Sequence, residues 1–322
     1  SAQTDTLVTN SIDNITFDGA GSLDTIDYTY IGATDLTVTI DGSNPETISD
    51  GTNTDSVSNV EIIKSGAGAD TFNVSSTNGI NTLDAGAGTD TLALSGTLDL
   101  SSVTLLNFEK IIVKDGDTLT LSATDLDDKT YAIELQGSGS LIVNATSVIN
   151  DHDFNNITIT KTGSATGTVT LDVDASVDLT SKNLGNNNMI DIFKVDSGTL
   201  TLSEAQVASP DKVVSGAGSA IIEVSADSST DFTSILALDS GANETINFTG
   251  NSTFTGDFAN SNIDIDTSVT VIVDGSKLDG KSTTITGAGN MTVNASGTVD
   301  LGSLTNSITG TFTINDSAGN DN

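Results

Sequence analysis

Two short segments combine the residue types that hard metal chemistry needs. Ser65–Phe72 (SGAGADTF) and Ala85–Leu92 (AGAGTDTL) are two copies of x-G-A-G-x-D-T-apolar, and their aspartates, Asp70 and Asp90, are 20 residues apart. The glycines admit backbone conformations closed to other residues and expose carbonyl oxygens, while each aspartate adds a carboxylate. These are hard donors of the kind calcium takes, and one turn offers fewer than the roughly six to eight oxygens the ion prefers. Two turns stacked one coil apart would bring both donor sets to one ion, and the apolar residue after each motif is expected to point inward as a strand begins.

Other candidates carry less chemistry. Phe17–Tyr28 (FDGAGSLDTIDY) is a looser copy with one extra residue before Asp24, and Ala318–Asn322 (AGNDN) reads as a further copy cut short. His152, within Asp151–Asp153 (DHD), reads as a loop histidine between turn aspartates. Asp172/Asp174 and Asp264/Asp266 lie at alternate positions on strand-like runs, the arrangement of an acid–base pair. Such pairs arise by chance among 44 acidic residues, so no catalytic role is expected. There is no H-E-x-x-H, and the glycine-rich turns lack the Lys-Ser/Thr of a phosphate loop.

The x-G-A-G-x-D-T-apolar phrases resemble the glycine-aspartate nonapeptides of the RTX (repeats-in-toxin) family, with consensus G-G-x-G-x-D-x-apolar-x. Val57–Ile62 (VSNVEI) looks like the lead-in that such repeats carry. The resemblance implies Ca2+ as the bound ion, Asp70 and Asp90 as side-chain ligands, and Gly66, Gly68, Gly86 and Gly88 as carbonyl-contributing turn positions. Asp24 is the corresponding ligand of the looser copy. The chain departs from the consensus at its first glycine, replaced by Ser65 and Ala85. Asn107–Leu126 and Thr199–Gly218 resemble repeats of bacterial S-layer and large adhesin proteins.

The elements that position these residues are strands. Period-two runs recur throughout, among them Asp35–Ile40, Thr118–Leu121, Ala132–Leu135, Asn156–Thr160, Thr168–Val173, Val269–Val273 and Thr311–Ile314. Gly, Asn, Asp and Ser clusters separate them. Leu202–Ala208 and Ser122–Asp128 are long enough only for one packed helical turn at a corner. With no Trp and few aromatic residues, the core is expected to be Val, Ile, Leu, Thr and Ala, and drifted phrases such as Val214–Gly218 and Ile285–Gly289 suggest degenerate coils. The expected fold is all-β, a right-handed parallel β-helix or β-roll solenoid. RTX-like calcium-binding coils are expected over 1–115 and degenerate solenoid repeats over 116–322.

Composition narrows function. Forty-four acidic residues face ten basic ones, all lysine, for a formal charge of -34. A surface so negative repels nucleic acid and anionic membrane, and no run is apolar enough for a membrane-spanning helix. Without cysteine, stapling must come from oxygen-ligated metal or continuous packing. Without Arg or Trp, the chain lacks the usual means of gripping acidic or neutral sugars. These features point to an extracellular, non-enzymatic, calcium-stabilised structural protein of the bacterial cell surface, an S-layer subunit self-assembling into a lattice. Its expected partners are other copies of itself and a cell-surface polysaccharide. The alternatives are the repeat stalk of a secreted adhesin and, behind it, a carbohydrate-active β-helix enzyme.

Overall fold

A computed structural model describes residues 3–77, 79–127, 129–145, 154, 156–163, 166–182, 184, 189–208, 212–238 and 243–316. His152 and the final AGNDN segment lie outside them. The chain is nearly all β, with parallel sheets forming a β-solenoid of about 13 turns, as the alternating runs predict. It divides into two compact units, one of Ser1–Asn144, His152–Thr170 and Asn183–Met189, the other of Ala145–Asp151, Leu171–Lys182 and Ile190–Asn322.

In the first unit, one sheet stacks Thr6–Val8, Thr25–Asp27, Ile62–Lys64, Thr82–Asp84 and Thr104–Leu106 in parallel. A second stacks Thr37–Ile40, Thr71–Val74, Thr91–Leu94, Lys110–Val113 and Ala132–Gln136. Register follows from alternation, since successive side chains face opposite sides of a strand. Val38, Phe72, Leu92, Ile111 and Ile133 therefore align in one buried column.

One insertion breaks the parallel pattern. Glu46–Ser49 pairs antiparallel with both Thr37–Ile40 and Thr54–Ser58. Its reversals fall at the Asp-Gly pairs 41–42 and 50–51, where Asp41 accepts the Ser43 N–H and Asp50 those of Thr52 and Asn53. Asp-Gly is a hairpin signal of this kind.

In the second unit, Val177–Asp178, Thr199–Ser203, Ser219–Val224, Glu244–Phe248, Asn262–Ile265, Thr284–Gly287 and Thr305–Asn306 form one parallel sheet. Ser252–Phe254, Thr270–Asp274, Asn290–Ala295 and Phe312–Asp316 form another. Both expected corner helices are single turns, Ala123–Leu126 in the first unit and Glu204–Val207 in the second. Each starts from a serine capping box, the device that satisfies orphan N–H groups at a helix start.

The core departs from the aliphatic expectation. Eight of the ten phenylalanines are buried. Phe232, Phe248, Phe254 and Phe258 pack together in the second unit, with Phe254 and Phe258 stacked at a centroid distance of 4.2 Å. Their rings meet across the core although register aligns Phe248 with Val224 and Ile265, and Phe254 with Val273.

Candidate metal centre

Asp70 and Asp90 sit immediately before paired strands, because Thr71 is in register with Thr91. The two carboxylates therefore occupy consecutive rungs, as the 20-residue offset suggests. They are not at exposed turn tips: Asp70 is 1% and Asp90 0% exposed. Each plays the same structural part. Asp70 Oδ1 accepts the Leu36 N–H at 2.7 Å, Asp90 Oδ1 the Asp70 N–H at 2.7 Å, and Glu109 Oε2 the Asp90 N–H at 2.7 Å. The result is a column of acids, each bonded to the backbone one rung earlier.

Asp24 does not join this column. It precedes Thr25–Asp27 in the other sheet, where its Oδ1 accepts the Asp5 N–H at 2.6 Å and its own N–H donates to Glu61 Oε2 at 2.7 Å. The first unit thus holds two acid columns, Asp24–Glu61 and Asp70–Asp90–Glu109.

The second oxygens are anomalous. Oδ2 of Asp24, Asp70 and Asp90 are all buried without a hydrogen-bond partner among the described residues. Asp55, equally buried, shows what a satisfied interior carboxylate looks like: it accepts from the N–H groups of Asp13 and Ile15 and from the Tyr28 hydroxyl. Burying a charged oxygen without such donors costs several kcal/mol. Burial pushes Asp70 above the usual carboxylate range and Asp90 up to about 6, and the neighbouring acids add to the rise in Asp90. At neutral pH Asp90 is still mostly ionised, and the column's negative charge meets only hydrogen-bond donors, Ser65 and the Leu36 and Gly66 N–H groups at Asp70 and the Asp70 N–H at Asp90, with no cationic side chain paired to it among the described residues.

The glycines hold the turns together. Ala87 N–H donates to Gly66 O at 2.9 Å, and Ala67 N–H to Gly32 O at 2.8 Å. A Cβ on Gly88 would lie 1.9 Å from Gly68 O, and one on Gly86, whose φ is +84°, 2.0 Å from Gly66 O. One role for Gly86 and Gly88 is therefore close stacking of successive turns. A carbonyl that accepts one hydrogen bond keeps a second lone pair for a cation.

Glu61 and Glu109 were missed as site residues. Asn59-Val60-Glu61 and Asn107-Phe108-Glu109 repeat one phrase, Asn-apolar-Glu, and that repetition is the signal that marks them. In the second unit, ligand oxygens of Asp172, Asp174 and Asp196 all lie within 4.8 Å of one another. There Lys194 already supplies the cation, bonding Asp172 at 3.0 Å and also reaching Asp196. The Asp172/Asp174 pair thus belongs to an ion-pair cluster.

No protein-family model matches the chain, and no curated protein or solved structure matches it significantly.

Proposed function

We propose that this chain is a calcium-stabilised structural protein of the bacterial cell surface, of the S-layer kind, whose acidic rungs are neutralised by bound ions. The observation that carries this reading is the pair of buried, unpartnered oxygens on Asp70 and Asp90. Both side chains make the same backbone bond on consecutive rungs, and neighbouring strands lie about 4.8 Å apart. Asp70 and Asp90 would hold the ion, with glycine carbonyls and water completing its shell. Bound calcium supplies the positive charge that these rungs lack.

The RTX-like motifs support the same ion, and the net charge of -34 supports a cation-dependent assembly, since divalent ions relieve repulsion between copies. Other copies of this chain are the first partner, with a cell-surface polysaccharide second, at an extracellular location. The test is removal of calcium by a chelator while thermal melting and particle size are followed. Loss of stability together with loss of large particles is expected. A calcium-stabilised chain that stays monomeric points to an adhesin stalk, and an unchanged melt rejects the calcium reading.

A further inference from the structure

The acid columns end in glutamate on a repeated corner. Glu61 and Ile62 N–H both donate to Asp24 O, at 3.2 and 3.0 Å, and Glu109 and Lys110 N–H both donate to Asp90 O at the same distances. Asn59 and Asn107 occupy the left-handed region, with φ of 51° and 60°. Their side-chain amides tie the corners down, Asn59 to Asp18 Oδ1 at 2.7 Å and Asn107 to Asp84 Oδ1 at 2.6 Å. So much backbone control fixes where each glutamate carboxylate lies.

Each glutamate then does with Oε2 what the aspartates do with Oδ1, on a side chain that is half-buried for Glu61 and exposed for Glu109. No donor among the described residues reaches Oε1 of Glu61 or Glu109, and none of the ion pairs found there involves a column acid. The acid one rung before each of them, Asp24 or Asp90, is wholly buried with an unpartnered Oδ2. Beside Asp24 only a glycine fits: a Cβ on Gly19 would lie 2.6 Å from Asp24 Oδ2 and 2.4 Å from Asn59 O. Asn59 and Glu61 also line a cavity of about 300 Å³.

We infer that Glu61 and Glu109 are cation-binding residues, each closing a calcium site with the buried aspartate one rung before it. The inference rests on the calcium reading of Asp70 and Asp90 and extends it to two further intervals, one of them in a separate column built on the looser motif.

Calcium calorimetry on the calcium-free full-length chain tests this with Glu61→Gln, Glu109→Gln and Glu109→Asp. Gln keeps an oxygen to accept the aspartate N–H and removes only the charge, so folding, followed by circular dichroism, is expected to be unchanged without calcium. Each Gln variant is expected to lose one bound calcium, or to weaken it by about tenfold or more, while Glu109→Asp retains binding. Wild-type stoichiometry and affinity in both Gln variants would overturn the inference. A Gln variant that is unfolded in calcium-free buffer would overturn it too, since the carboxylate would then be needed without any ion. If Asp70→Asn loses an ion while the Gln variants lose none, only this inference falls. A wild-type chain that binds no calcium removes the reading of Asp70 and Asp90 as well.

Discussion

Asp90 makes the energetics of a single residue testable by pH. Its folded pKa of about 6 lies above the ordinary carboxylate value of about 4 because burial disfavours the charge. The folded chain therefore holds this proton more tightly than the unfolded chain does. The burial penalty is absent below about pH 4, sets in as pH rises, and is complete above about pH 6. Calcium-free protein is expected to melt at higher temperature at pH 5 than at pH 7.5, and calcium, which competes with the proton, is expected to reverse that order. Scanning calorimetry at the two pH values, with and without calcium, checks both signs. Gly88→Ala forces a Cβ into Gly68 O, and a destabilisation of about 1–3 kcal/mol or more is expected in urea unfolding. At this scale the aspartates were legible because Gly and Asp in a fixed phrase carry a chemical signature. Their burial was not, since acids are ordinarily exposed, and a lone glutamate after an apolar residue signals nothing until its corner is seen twice.

Strands were the most legible elements. Thr118–Ser122, Ala132–Gln136 and Thr270–Asp274 appear within a residue or so of their alternating runs, because one buried face forces period two. The one-turn helices were legible as well, from short runs that cannot be stable unpacked. The antiparallel insertion around Glu46–Ser49 was not, because Asp-Gly pairs occur in many turns of this chain and no local property says which of them reverses direction. The aromatic stack was hidden for a related reason: Phe232, Phe248, Phe254 and Phe258 meet only once the coil is folded, since no local pattern marks their rings as neighbours. Phe254, fully buried among the other three, is expected to cost about 3–5 kcal/mol when replaced by alanine, read from denaturant midpoints. A cost below about 1 kcal/mol would show that the stack contributes little to this unit.

For the whole molecule, charge is the dominant fact. A chain at -34 repels itself at every range within the Debye length, about 8 Å at physiological ionic strength, and monovalent salt only screens that repulsion. Specific binding acts differently, adding about 2.7 kcal/mol of stability when calcium stands at 100 times its dissociation constant. Millimolar calcium is therefore expected to raise the Tm well beyond sodium chloride of equal ionic strength, and equal effects of the two would reduce calcium to a screening ion. The decisive comparison is between the wild type and Asp90→Asn, melted at pH 7.5 in chelator and again in calcium. In chelator the variant, freed of a buried charge, should match or exceed the wild type; in calcium the wild type should be the more stable by several degrees. A variant less stable than the wild type by the same margin in both buffers would mean that Asp90 serves the fold without an ion, contradicting the claim that these rungs are built around calcium.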